Sequence, residues 1–187
     1  LIGIVFGGTL TSSMRRVYDV GTGTEIWSGA ASPDLRSALE IVPRLSPIDG
    51  IIAASDTAAR VASTATHLYD NGTLYTAVSG WALGWLDENR LLLNRYTPVG
   101  AGSQVSYSGA VVVNASGQQV QSPPLPELFN VQSAGVDTVY SRDSNKIFSL
   151  SSGASVWSSV SPTTGKGGVT QAHVVFGSGN TVRIEPL

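Results

Sequence analysis

The chain contains no cysteine, which removes disulfides, thiolate nucleophiles and cysteine-ligated metal sites together. Charge is scarce too. Only 13% of the 187 residues are charged, Lys146 and Lys166 are the sole lysines, and the formal net charge is −2. With no basic field to attract a phosphate backbone, nucleic acid is excluded as an expected partner. No apolar run is long enough for a membrane-crossing helix, and none sustains a helical period. The chain also lacks an initiator methionine and a charged leader, so both ends are expected to cut through structure.

What is present is apolar and finely divided. Hydrophobic residues make up 42% of the chain, enough for one globular domain with a substantial core. Solubility falls to Ser, Thr, Gly, Asn and Gln, a surface that favours an extracellular or periplasmic setting. Five short segments share one apolar punctuation: Ile4-Val5-Phe6, Ile51-Ile52-Ala53, Leu91-Leu92-Leu93, Thr138-Val139-Tyr140 and Val174-Val175-Phe176. Their last residues stand 36 to 47 positions apart, a blade-sized repeat. A second ladder, Gly23, Gly72, Gly117 and Gly153, falls between β-prone runs where a hairpin needs positive φ.

These ladders predict an all-β chain of about four to five antiparallel units, over roughly 1–37, 38–80, 81–125, 126–160 and 161–187. Ser32-Pro33-Asp34 is expected either to cap a short helical turn through Leu39 or to begin a loop over 34–45 that leads to an inner strand. Pro123, Pro124 and Pro126 forbid continued pairing and predict a stiff connection. Val5, Ile52, Leu92, Val139 and Val175, at the strand centres, are the predicted core.

Ile4-Val5-Phe6-Gly7-Gly8, followed by Val17-Tyr18-Asp19, Gly23, Trp27, Pro33 and Arg36, resembles a kelch repeat. Val17 to Gly23 is also similar to the third strand of a WD repeat. Ile26-Trp27 and Val156-Trp157, each just past a turn glycine, resemble the outer-strand signature of quinoprotein-type propellers. The resemblance implies a β-propeller or a segment of one, without selecting a subfamily. It also closes one route, because kelch-like copper oxidases need a cysteine-modified tyrosine that this chain cannot make.

Candidate sites are weak. His67 and His173 begin strands with no clustered carboxylates nearby, so structural roles are favoured over metal ligation. No Gly-x-Ser-x-Gly elbow exists. Thr164-Gly165-Lys166-Gly167-Gly168 lacks phosphate-loop spacing and is expected to be a solvated loop. Asp87-Glu88-Asn89 reads as a charged hairpin turn before Arg90. Asn71-Gly72-Thr73 and Asn114-Ala115-Ser116 fit the glycosylation pattern, but both fall at expected turns. Trp27 and Trp157 occupy equivalent places nine residues after Tyr18 and Phe148, which predicts shared packing. Trp81 and Trp85 share one strand face by parity.

No catalytic, metal or cofactor residue is assigned. The favoured expectation is a non-catalytic protein-binding or scaffolding module. Its partner would be another protein, the remainder of a larger propeller, or another copy of the chain. The alternatives are the propeller part of a carbohydrate-active or quinoprotein-like enzyme, with carboxylates such as Asp19, Asp56, Asp70, Asp87 and Asp143 spread over strand ends, or a sugar-binding lectin. The first unit shows no obvious inner strand and the fifth no outer one, which predicts strand edges that need cover.

Overall fold

The computed structural model describes residues 2–7, 14–30, 44–46, 50–55, 60–100, 104–159, 166–170, 172–178 and 181–187. The described residues form strands and no helix. They build five antiparallel sheets in chain order, each a simple meander. The first has three strands, β1 (Ile2–Gly7), β2 (Met14–Asp19) and β3 (Glu25–Ala30). The second has four, β4 (Arg44–Leu45), β5 (Ile51–Ser55), β6 (Ala65–Asp70) and β7 (Thr73–Ser79). The third comprises β8 (Trp81–Asp87), β9 (Arg90–Pro98), β10 (Val105–Val113) and β11 (Gln119–Gln121). The fourth comprises β12 (Val131–Gly135), β13 (Thr138–Ser141), β14 (Lys146–Ser149) and β15 (Ser155–Ser158). The fifth has three strands, β16 (Lys166–Val169), β17 (His173–Ser178) and β18 (Thr181–Pro186). Residues 34–43, where a helical turn or loop was expected, lie outside the described residues.

Each sheet packs its face on the next. Val17 and Trp27 of the first meet Ile52 and Ala54 of the second. Ala53 and Leu68 on the opposite face of the second meet Leu91, Leu93 and Val111 of the third. Leu92 and Val112 then meet Val139 and Phe148 of the fourth, and Tyr140 and Ile147 meet Val174 and Phe176 of the fifth. Alternation along a strand sends successive side chains to opposite faces, so an apolar triplet such as Leu91-Leu92-Leu93 fills two interfaces at once. That is why the repeated punctuation is unbroken rather than alternating. Strand β8 lies beside β4 and β12, and β12 lies beside β16, so the first strands of sheets two to five line up. Gln132 supports this row: its side-chain amide donates to the Val169 carbonyl (3.0 Å) and accepts from the Val169 N–H (3.2 Å).

The outer hairpins repeat as well. In β2–β3, Asp19 N–H donates to Thr24 O and Gly23 N–H to Asp19 O; in β14–β15, Ser149 and Gly153 make the same two bonds to Ala154 and Ser149. All four ladder glycines have positive φ, 70° to 83°. At two of them space matters too, because a Cβ would strike the Ile26 carbonyl from Gly72 and the Pro124 carbonyl from Gly153. Every outer strand bulges at one register, with Ile26, Tyr75, Val120 and Val156 as the extra residues. Trp27 and Trp157 consequently lie opposite Val17 and Ile147.

Three expectations change. Trp81 and Trp85 do not share a face: Trp81 packs toward the fourth sheet and Trp85 toward the second. A register shift between Ala82 and Gly84 resets the alternation. Lys166-Gly167-Gly168 is no loop but part of β16, where Gly167 and Gly168 stand opposite Phe176 and Val175 of β17. Among the predicted core, Ile52, Leu92 and Val139 are fully buried, whereas Val175 is half-buried, no further sheet lying against its face among the described residues. The Val5 side chain lies outside the described residues.

Candidate functional site

Most polar side chains singled out from sequence serve local structure. Asp19 Oδ1 accepts the Gly21 and Thr22 N–H groups at 2.8 and 2.9 Å, which holds its carboxyl below the ordinary range. Asp87 receives Asn89 N–H and Arg90 Nε (2.9 and 2.6 Å), forming the expected β8–β9 turn. Asp143 accepts from Asn130, and Asp70 from Asn71 Nδ2 at 3.0 Å. Asp56 lies outside the described residues. His67 contacts Tyr69 through its ring, and His173 closes a turn with Thr170. Among the described residues no three His, Asp or Glu side chains gather as a cation site.

Asn71 and Asn114 both fall in hairpin turns, as expected. Asn114 Oδ1 accepts from Ser116 Oγ and Gln118 N–H (both 2.8 Å), an arrangement that anchors the turn.

A constellation that sequence reasoning missed joins the β5–β6 loop to the connection after β11. Arg60 donates to both Glu127 oxygens at 3.0 Å, and its guanidinium stacks 5.1 Å from the Phe129 ring centre. Hydrogen bonds from Arg60 hold the Glu127 carboxyl below its usual range. Alongside, Tyr96 and Tyr107 meet edge to face, and Tyr107 donates to Leu125 O at 2.9 Å. Burial, assisted by the Glu127 charge, pushes the Tyr107 hydroxyl up to about 12 and moves Tyr96 further in that direction. Asn94 is fully buried beneath and donates to Leu128 O at 2.6 Å, while its Oδ1 has no partner among the described residues. Tyr107 thus donates from its hydroxyl, whereas the Tyr96 hydroxyl accepts from Asn94 Nδ2 at 3.3 Å. Arg60 and Glu127 are far apart in sequence, and no local pattern joins them.

Two surface features complete the inventory. A shallow groove of about 440 Å³ runs between the second and third sheets, lined by Asp70, Thr73, Tyr75 and Ser116 among others. Tyr75 donates to Ala115 O across it at 2.6 Å. The bulge residues Tyr75, Val120 and Val156 are 42%, 54% and 59% exposed, so successive outer strands present an apolar side chain at one register. No family model matches the chain and no curated protein matches it.

Proposed function

We propose that the chain is a run of β-propeller blades working as a protein-binding or scaffolding module. The blade reading is supported by five meanders stacked in chain order, first strands aligned, with one bulge register on four outer strands. The binding reading rests on one observation: the recurring exposed apolar side chains Tyr75, Val120 and Val156. Polar surroundings with periodic apolar contacts suit a protein surface. The catalytic alternative gains little from the carboxylates named above, since Asp19, Asp70, Asp87 and Asp143 are engaged in turn hydrogen bonds and ion pairs. Cross-linked capture from the native source, comparing the unmodified chain with a folded Val120→Asp/Val156→Asp variant, tests the proposal. The expected result is loss of captured protein with the circular dichroism spectrum unchanged. Undiminished capture would remove the outer strands from the binding surface.

A saccharide is the second reading, favoured by the groove that sets an aromatic ring beside the Asp70 carboxyl and the Thr73 and Ser116 hydroxyls. Calorimetric titration with neutral oligosaccharides, repeated on Tyr75→Ala, decides it; absence of heat with the unmodified chain excludes the groove as a sugar site.

A further inference from the structure

Arg60 holds a backbone conformation that an arginine rarely adopts, with φ at 63°. Asn71 and Asn145 also have positive φ, but both lie in tight hairpin turns, where asparagine tolerates it. Arg60 lies in the longer β5–β6 connection. Strain of this kind persists only where the surroundings impose it, and it gathers at positions with a task.

The contacts that hold Arg60 in place form a seat for a guanidinium. Glu127 offers both carboxylate oxygens at 3.0 Å, and the Phe129 ring centre lies 5.1 Å from the guanidinium carbon. A carboxylate fork beside an aromatic face suits a planar guanidinium better than an ammonium. The seat itself is firmly set. Phe129 meets Trp81 at 6.2 Å between ring centres and packs on the core shared by the third and fourth sheets. Between the two seat residues Leu128 is buried, and its carbonyl accepts from Asn94 Nδ2 at 2.6 Å. The occupant is less enclosed than the seat: the Arg60 side chain is 62% exposed and that of Glu127 is 22% exposed. An ion pair with so exposed a cation contributes little to stability. A second guanidinium would restore its contacts nearly one for one, and Arg60 would be released from left-handed backbone as it left.

We infer that the Glu127–Phe129 seat takes an arginine side chain presented by a partner protein, with Arg60 occupying it from within as a competitor. The inference deepens the protein-binding reading and rests on it, naming the residue that the partner presents. Internal occupation lowers the partner's apparent affinity by the fraction of chains whose seat is open, so the β5–β6 connection sets how readily the partner is taken.

Titration with N-acetyl-argininamide, followed by nuclear magnetic resonance and calorimetry, tests it. In the unmodified chain the probe is expected to bind saturably and to move the Arg60 Nε–H resonance toward that of solvated arginine. That resonance is read without any substitution and does not depend on the fold of a variant. Arg60→Gly removes the competitor and suits the positive φ, and it is expected to bind the probe at least about tenfold more tightly than the unmodified chain. N-acetyl-lysinamide is expected to bind Arg60→Gly at least about tenfold more weakly than the arginine probe, because an ammonium does not span both carboxylate oxygens. Adding Glu127→Gln to Arg60→Gly abolishes saturable binding, and adding Phe129→Leu instead weakens it, both with unchanged circular dichroism. An Arg60 resonance that stays in place at the highest probe concentration overturns the inference, since Arg60 is then a fixed structural clasp even if Arg60→Gly accepts the probe. Probe binding indifferent to Glu127→Gln, or equal binding of the two probes, overturns it as well. Displacement of Arg60 together with undiminished capture by the Val120→Asp/Val156→Asp variant defeats the outer-strand surface alone. Loss of capture in that variant with no displacement of Arg60 defeats the arginine seat alone.

Discussion

The glycines of the hairpin ladder look alike in sequence yet meet different surroundings. Gly23 has positive φ and nothing within 4 Å of an added Cβ, so Gly23→Ala is expected to cost only the backbone term, about 1–2 kcal/mol. Gly72→Ala and Gly153→Ala add a collision with a neighbouring carbonyl and are expected to cost about 1–3 kcal/mol more. Thermal unfolding of the three variants checks the ranking, and equal losses would remove the close approach as a cause. Glu127 supplies a pH-dependent counterpart. Its folded pKa is lowered from 4.5 by Arg60, so its contribution is present above that value and is lost as pH falls through the folded pKa. Arg60 is 62% exposed, which limits the pair to within about 1 kcal/mol. Glu127→Gln should remove that amount at neutral pH and flatten the acid limb of denaturant-derived stability. Tyr107 runs the other way. Raised from 10 to about 12, it stabilises below pH 10 and loses that contribution as pH rises through the folded value. Ultraviolet titration should find Tyr96 and Tyr107 ionising well above the ordinary tyrosine range; release of both protons at the ordinary value would contradict their burial.

At the scale of the strand, the shared bulge gives Trp27 and Trp157 one register but not one degree of cover. Trp27 is 8% exposed and meets Tyr69 edge to face at 6.0 Å. Trp157 is half-buried and donates from Nε1 to Pro186 O at 3.1 Å. Trp27→Ala is expected to cost about 3–5 kcal/mol, with Trp157→Ala costing about half as much because less surface is lost from cover. Trp157→Phe should cost about 1 kcal/mol through the missing donor. Chemical denaturation that ranks Trp157 above Trp27 would show that the fifth sheet, rather than the second, provides the tighter seat. The buried Ser55–Thr66 pair is another strand-level device. Thr66 donates to Gly80 O (2.7 Å), the two hydroxyls lie 3.0 Å apart, and Ser55 accepts the Ala82 N–H at 3.0 Å. A Ser/Thr-rich strand can thus be buried without orphaned polar groups.

Across the whole molecule, stability is expected to be highest in the second to fourth sheets, which are covered on both faces, and to fall toward the first and fifth. Leu92→Ala should cost about 2–5 kcal/mol, while Val175→Ala, on the uncovered face, should stay near or below 1 kcal/mol. Hydrogen exchange gives the same ordering without mutation: β9 amides exchange slowest, and those of β1 and β18 fastest. Uniform protection across the five sheets would mean that the end sheets are covered. The strand tally bears on this, for the first sheet lacks the counterpart of β4, β8, β12 and β16, and the fifth lacks the counterpart of β7, β11 and β15, among the described residues.

Strand positions and hairpin turns were legible in the chain because they depend on neighbours in sequence. Apolar triplets such as Leu91-Leu92-Leu93 mark strands buried on both faces, and a glycine between β-prone runs marks a turn that needs positive φ. Parity misassigned Trp81 and Trp85 because one bulge inverts every side chain beyond it, and nothing local announces a bulge. The Arg60–Glu127 pair and the neutral tyrosines beside it were invisible for a different reason, since they depend on loops brought together only when the second and third sheets stack. The sequence alone determined an all-β chain and its repeat. Tertiary structure decided which faces are covered: Val17 of β2 is buried because the second sheet lies against it, while Ile184 of β18, as apolar in sequence, is 61% exposed with no sheet against it among the described residues.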